Sequence, residues 1–313
     1  MHSDNPQLNE VFAYILQRNG KMIRPRLVLL CSSFGSDDAA RGIDMAAAIE
    51  LIHMASLIHD DVIDHAALRR GQDSVNQRWG NTNSVLVGDY LFATAFQLIN
   101  RHGMKEIMEE VTDTIQIMCA GEVRQMSLAH NLDITVEDYF QKIYEKTACL
   151  FAAACRVGGL CGGLEEQQVK ALQEYGFLLG CAFQIIDDLL DFQSSSTLLG
   201  KPVGSDLLEG NITLPVIYAL EHPEYGMCLR QILQTKHITE EQLQRIIRIL
   251  LDSQAANKAL CLAEQYVQNG LKALDFFASS SAKSELIKLG EYVLTHYYQC
   301  LQQPSDAVKV VRQ

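Results

Sequence analysis

A chain of 313 residues, 48% of them apolar, has ample material for a large buried core, and all-helical enzymes of this length form single domains. Its 26 Lys and Arg against 38 Asp and Glu leave a net charge of −12, and no basic block interrupts the sequence, which argues against nucleic acid as a partner. An anionic substrate must then be met by local clusters of basic side chains.

Only six prolines punctuate the chain, and apolar residues recur mostly at helical spacing, with few alternating β-branched runs. The first residues, Met1 to Leu8, are polar and lack the hydrophobic region of a signal peptide. In chain order the pattern predicts helices over 8–18, 22–33, 41–65, 82–101, 104–127, 136–158, 166–193, 212–220, 227–234, 240–251, 254–276 and 280–301. Thr135 with Asp138, and Thr239 with Gln242, have the spacing of N-cap pairs. The main loops fall at 35–38, 69–80 and 194–210; the last is rich in Ser, Gly and Asp, as functional lids often are. The expected fold is all-α, in one domain over 1–313. No apolar run reaches 18 residues without a charge or glycine, so no transmembrane segment is expected. The nine cysteines form no CxxC pair, and Cys149, Cys155 and Cys181 lie in apolar runs. They read as small buried hydrophobes in a reducing compartment, and the cytoplasm is the expected location.

One internal echo stands out. Asp60-Asp61-Val62-Ile63-Asp64 recurs as Asp187-Asp188-Leu189-Leu190-Asp191, each at the polar end of a long apolar helical stretch. In a helix, positions i and i+4 share a face, so Asp60 lies one turn from Asp64, with Asp61 turned about 100° away. Leu51, Ile52, Met54, Leu57 and Ile58 precede the first cluster; Cys181, Phe183, Ile185 and Ile186 precede the second. Three carboxylates on a partly buried face repel one another and lose hydration, which cations relieve. Hard oxygen ligands suit Mg²⁺, which binds through one or two carboxylates, substrate phosphates and retained waters. A lone DDxxD is more often a solvated acidic patch, and two copies on apolar helices weaken that reading. An EF-hand, whose ligands alternate along a Gly-containing loop, does not fit.

The basic residues fall in small groups: Gly20-Lys21-Met22-Ile23-Arg24-Pro25, His53, Arg69-Arg70-Gly71, Lys146-Thr147, Phe183-Gln184 and Gly200-Lys201-Pro202-Val203-Gly204-Ser205-Asp206. Taken singly, Lys21 and Arg24 could be solvated charges, His53 a core histidine and Lys146 a helix-surface charge. Taken in order with the two DDxxD motifs, they resemble the trans-polyprenyl diphosphate synthase family from about residue 8 to about 300. Within it the chain most resembles the large, catalytic subunits of heptaprenyl diphosphate synthases. Like them it has Asn211, in Asp206-Leu207-Leu208-Glu209-Gly210-Asn211-Ile212-Thr213-Leu214-Pro215, where most members have Lys.

That resemblance implies a bundle of mostly antiparallel helices around a deep central cavity, the two DDxxD helices facing each other near its mouth. It implies that Asp60, Asp61, Asp64, Asp187 and Asp188, and less directly Asp191, bind Mg²⁺ and an allylic diphosphate such as farnesyl diphosphate. Arg69, Lys146, Thr147, Gln184 and Lys201 would contact the allylic substrate; Lys21, Arg24, His53 and Arg70 would hold isopentenyl diphosphate. Mg²⁺ and Lys146 would neutralise charge as the diphosphate leaves. The isopentenyl double bond would attack the allylic carbocation, and the proton would leave to the released diphosphate, so no dedicated protein base is required. Arg suits bidentate phosphate recognition, while Lys acts as a point charge.

Ala55 and Ser56 lie about one turn deeper than Asp60, at a level that a bulky aromatic blocks in short-chain members. Small residues here point to a long product, with Phe92, Phe96 or Ile115 as candidates for a deeper floor; close helix packing is the other explanation. The family's helix ahead of GKxxRP is short or missing here. Relatives often end in a basic run, where this chain has Thr295-His296-Tyr297-Tyr298-Gln299. The implied partner is a small accessory subunit in a heterodimer, or a second copy in a homodimer. The expected activity is a heptaprenyl-type synthase for quinone side-chain biosynthesis. The alternatives are a homodimeric geranylgeranyl- or octaprenyl-type synthase and a non-catalytic subunit of a prenyltransferase complex. A terpene cyclase shares the fold and one DDxxD, but the second motif and the basic groups argue against it.

Overall fold

The structure is a computed structural model that describes residues 3–17, 20–35, 38–69, 71–193, 203–235 and 238–301. Helices account for nearly all of its secondary structure: α1 (Pro6–Leu16), α2 (Ile23–Ser32), α3 (Ala39–Ile63), α4 (Val75–Trp79), α5 (Asn81–Asn100), α6 (Lys105–Leu128) and α7 (Val136–Ile143). After a π-helical turn at Tyr144–Ala148 come α8 (Cys149–Cys161), α9 (Glu166–Gln193), α10 (Ser205–Leu208), α11 (Leu214–Leu220), α12 (Gly226–Leu233), α13 (Glu240–Asp252), α14 (Ala255–Ala273) and α15 (Ser281–Leu301). A 3₁₀ turn at Leu274–Phe276 follows α14. Two two-residue strands, β1 (Leu68–Arg69) and β2 (Gln72–Asp73), pair antiparallel with Arg69 opposite Gln72.

Local chemistry sets the boundaries. Asn5 accepts from the N–H groups of Gln7 and Leu8, and Pro6 fits the first turn of α1. Thr135 with Asp138, and Thr239 with Gln242, each form a full capping box, as their spacing predicted. The sequence pattern runs one helix over 136–158; the structure interrupts it with the π turn. The 69–80 loop contains the hairpin and α4, N-capped by Ser74.

The chain divides into two compact units, Met1–Thr112 with Ala153–Lys170 and Asp113–Ala152 with Ala171–Gln313. In the first, α3 packs on α2 and α5. Its Met45, Ala48, Ile49, Ile52, Ala55 and Ile58 recur at three- and four-residue steps and are all buried. By length and hydropathy α3 could cross a membrane, but half of that apolar window is buried inside the protein, as in a core helix. Glycine lets α2 approach α8: a Cβ on Gly158 would lie 2.5 Å from the Val28 carbonyl oxygen and 2.6 Å from Cys31 Cβ. Helix α1, eleven residues long, is fixed by aromatic contacts. Phe12 meets Tyr90 at 5.2 Å, Tyr14 meets Trp79 edge-on at 5.0 Å, and the Arg78 guanidinium lies over the Tyr14 and Trp79 rings. The Tyr14 hydroxyl donates to the Asp73 carbonyl at 2.8 Å, tying α1 to the hairpin that carries Arg69.

In the second unit, Tyr175 is fully buried and its hydroxyl donates to the Leu286 carbonyl at 2.6 Å. The apolar stripe of α13, Leu243, Ile246, Ile247 and Leu250, is buried. Against the π turn, a Cβ on Gly180 would meet Ala148 Cα at 2.7 Å, so α9 touches this turn through backbone.

These approaches predict opposite results for two helical glycines. Gly158→Ala forces backbone apart and is expected to destabilise by about 1–3 kcal/mol. Gly270→Ala adds a Cβ whose nearest neighbours lie at 3.5 Å or beyond and removes helix-interior glycine. It is expected to be neutral or stabilising by up to about 1 kcal/mol. Urea unfolding of the two variants beside wild type checks both signs.

Candidate active site

The first aspartate cluster closes α3. Asp60 is half-buried, Asp61 is buried and Asp64, the C-cap, is exposed. The Asp61 carboxylate accepts from Arg69 Nε at 2.8 Å and lies 2.6 Å from Arg69 Nη2, while Asn76 Nδ2 donates to its carbonyl at 3.0 Å. The hairpin and α4 thus supply the groups that compensate this buried charge. His59, one residue ahead, packs on α5: its Nε2 lies 3.1 Å from the Val85 carbonyl and 3.7 Å from the Asp89 carboxylate. Only glycine fits beneath it, since a Cβ on Gly88 would stand 2.1 Å from that ring.

Two of the residues expected to bind isopentenyl diphosphate meet. Arg24, in the first turn of α2, reaches His53 on α3, Nη1 to Nε2 at 3.1 Å. Arginine can only donate, so His53 Nε2 accepts and a neutral ring carries its proton on Nδ1. Lys21 is exposed two residues before α2. Arg70 and Lys201 lie outside the described residues.

The second cluster closes α9, and its three aspartates differ. Asp187 is exposed; Asp188 and Asp191 are buried. Asp188 accepts from the Tyr139 hydroxyl at 2.7 Å and from Gln184 Nε2 at 2.8 Å, and Gln184 Oε1 accepts from the Thr147 hydroxyl at 2.8 Å. Thr147 and Gln184 are therefore linked to the buried carboxyl in one chain of hydrogen bonds. Burial, with Asp206 adding, pushes Asp188 up to about 7, against the pull of Lys142, Gln184 and Tyr139. Burial also holds Lys142 below the usual lysine value, and its Nζ donates to the Ile212 carbonyl at 3.4 Å. Asp191 accepts from the Ser205 N–H and hydroxyl at 3.1 and 2.9 Å and from the Asp206 N–H at 3.2 Å. Its oxygens are thereby turned to the start of α10, and burial raises its pKa too.

Lys146 and Thr147 both sit on the π turn. Lys146 Nζ lies 2.9 Å from Glu122 Oε2 on α6. The neighbouring Glu145 accepts from Arg124 Nε and Nη2 at 2.8 and 3.2 Å and from Gln141 Nε2 at 2.6 Å. Burial pushes the Glu145 carboxyl up, but the bonds from Arg124 and Gln141 outweigh it and hold the group below its usual value.

Sequence reasoning missed Tyr139, Lys142, Glu122, Glu145, Asn76 and His59. A signal existed for two of them: Tyr139 and Lys142 are a polar ring and a charge on the inner face of an amphipathic helix. Among the described residues, no three His, Cys, Asp or Glu side chains converge on a closed metal site. Taken separately, each cluster still fits a hard divalent cation that takes its remaining ligands from phosphate and water: its donors are oxygen alone, partly exposed at Asp60 and Asp64 in the first and at Asp187 in the second. A buried carboxyl held near 7 is also one whose ionisation a cation would favour.

The family model described as polyprenyl synthetase matches residues 5–250. Heptaprenyl diphosphate synthase component 2 of Bacillus subtilis is 38% identical over 293 residues, 94% of this chain and 84% of that one. Octaprenyl diphosphate synthase of Escherichia coli is 39% identical over 249 residues, 78% and 77% of the two chains. The crystal structure of a polyprenyl synthase from Caulobacter crescentus, complexed with calcium and isoprenyl diphosphate, superposes with a TM-score of 0.88 at 33% identity, covering 94% of this chain and 90% of that one.

The Glu145 network carries a pH prediction. Because the folded carboxyl titrates below its ordinary value, its contribution to stability is complete above about pH 5 and is lost as pH falls through the folded value. Glu145→Gln is expected to be less stable than wild type at pH 7, with the gap closing as pH falls below the ordinary carboxylate range, as thermal unfolding across the acid range will show.

Proposed function

The chain belongs to the polyprenyl synthetase family and is a trans-prenyltransferase, and we propose that it builds a heptaprenyl-type all-trans diphosphate, in the cytoplasm, for quinone side chains. The observation that carries the chemistry is the second cluster: Thr147, Gln184 and Tyr139 joined to Asp188 at the end of a buried helix. Such an array presents fixed hydrogen-bonding groups beside carboxylates, the arrangement a bound diphosphate and its counter-cations require.

In this reading the substrates are isopentenyl diphosphate and an allylic diphosphate such as farnesyl diphosphate. Asp60, Asp61, Asp64, Asp187 and Asp188 hold Mg²⁺, and Asp191 contributes through the turn it fixes. Bound Mg²⁺ supplies neutralisation of the departing diphosphate. Lys146 adds a positive point charge to the same leaving group, and Thr147, Gln184, Arg69 and Lys201 orient it. Arg24 and His53, already 3.1 Å apart, hold the isopentenyl diphosphate with Lys21 and Arg70. The chain 1–313 acts as one catalytic domain.

The small residues before Asp60 support a long product. Ala55 is fully buried, and Ser56 donates its hydroxyl to the His53 carbonyl at 2.9 Å rather than projecting bulk. The likeness to component 2 of a two-component enzyme supports a small accessory subunit as partner. A second reading, a homodimeric octaprenyl-type synthase, draws on the similar identity, over a shorter stretch, to the Escherichia coli enzyme.

Radiolabelled isopentenyl diphosphate with farnesyl diphosphate and Mg²⁺ tests the proposal, with and without candidate small subunits. Wild type is expected to incorporate label into long products, and Asp60→Ala to lose on the order of 100-fold or more of that rate, roughly 3 kcal/mol. Chain length on thin layers decides between heptaprenyl and octaprenyl, and the need for a subunit decides the assembly. No incorporation by folded protein in any pairing would overturn the reading in favour of a non-catalytic subunit.

A further inference from the structure

Lys146 projects from a π turn, and α6 grips that turn at three points. A Cβ on Gly121 would lie 2.6 Å from Glu145 Cβ, 3.1 Å from its carbonyl carbon and 3.3 Å from the Lys146 nitrogen, so the α6 backbone rests directly on the turn. Arg124 binds the Glu145 carboxylate through two nitrogens. Between them, Glu122 holds the Lys146 ammonium at 2.9 Å. On the opposite side Thr147 is held by Gln184. The five-residue π turn thus carries consecutive side chains held by two different helices, and π turns are frequent at functional sites.

The Glu122–Lys146 pair is poorly explained as a stabilising device. Lys146 is 30% exposed, and partly exposed ion pairs contribute little to stability. Glu122 is only 12% exposed, and its second oxygen, Oε1, is buried without a hydrogen-bond partner among the described residues. A buried acceptor left unmet costs stability, so a Glu kept there for the fold alone works against itself.

We propose that Glu122 is a positioning residue: it aims the Lys146 ammonium for the allylic diphosphate before the substrate arrives. This rests on the proposed role of Lys146 as an allylic-diphosphate ligand. A lysine has four rotatable stem bonds and three donors. Glu122 holds the end of that stem at 2.9 Å. Ordering that is complete in the free protein is not charged against binding. The two effects of a carboxylate near a diphosphate oppose each other, and the proposal commits to a sign: aiming the lysine outweighs repelling the substrate.

The test is a double-mutant cycle on the full chain, together with the accessory subunit if activity requires one. Farnesyl diphosphate with Mg²⁺ and no isopentenyl diphosphate is titrated calorimetrically into wild type, Glu122→Gln, Lys146→Met and the double variant. Glu122→Gln keeps the shape of the side chain, so folding is expected to survive. Glu122→Gln is expected to weaken binding about fivefold to tenfold and Lys146→Met about tenfold or more, with the double variant no weaker than Lys146→Met alone within about twofold. In turnover, Glu122→Gln should raise the KM for the allylic substrate and leave that for isopentenyl diphosphate unchanged. Effects that multiply in the double variant, or a Glu122→Gln protein that binds as well as or better than wild type, overturn the positioning role alone. A Lys146→Met protein that binds as wild type does overturns the assignment of Lys146 as well.

Discussion

A carboxylate carried from water to the end of a buried helix must be given partners or lose its charge. Both aspartate clusters are organised by that requirement, and they meet it in different ways. Asp61 is paired with the Arg69 guanidinium, which the β1–β2 hairpin brings back to the end of α3. Asp188 is surrounded by neutral donors, Tyr139 and Gln184, with a buried lysine nearby, and titrates near neutrality. The first cluster is a formed ion pair, and the second a carboxyl whose charge depends on what else is bound. A motif repeated in sequence is therefore not repeated in environment.

Close backbone approach is the second constraint, and glycine provides it beside several residues of the candidate site. Gly88 admits the His59 ring beside Asp60; Gly121 and Gly180 admit the π turn that carries Lys146 and Thr147. A helix packed this closely on a neighbouring turn or ring cannot also keep a Cβ in the way. These glycines cost some helix propensity, roughly 1 kcal/mol each, and the packing they allow offsets it.

The fold was legible in the sequence because helices announce themselves locally. The α3 and α9 periodicities and both capping boxes are properties of neighbouring residues, and the structure has them where the pattern put them. The hairpin at Leu68–Asp73 is two residues per strand, too short to show alternation. The break in 136–158 is not encoded locally at all: Tyr144 to Ala148 would continue a helix, and the extra residue is accommodated by Gly121 and Gly180, far away in sequence. Of the candidate site, the pairing of Arg24 with His53 and of Thr147 with Gln184 joins residues that the sequence had nominated separately. Glu122 and Asn76 were invisible because nothing about a lone Glu or Asn identifies which distant ammonium or backbone carbonyl it will meet.

That difference has a physical consequence for the basic groups. An acidic trans-prenyltransferase cannot rely on a general positive field to attract an anionic substrate. Each cation must be local and held, because a free lysine or arginine near so many carboxylates would pair indiscriminately. Arg69 is fixed on Asp61, Arg24 on His53, Lys146 on Glu122 and Arg124 on Glu145. In three of these four pairs the partner is a carboxylate, so each of those cations is already close to electrically balanced where it stands. Bringing diphosphate and divalent cation as a unit changes the local net charge least. Under the proposed function, the excess of acid over base along the chain would favour cation-bound diphosphate over bare diphosphate, whose negative charge these carboxylates would otherwise oppose.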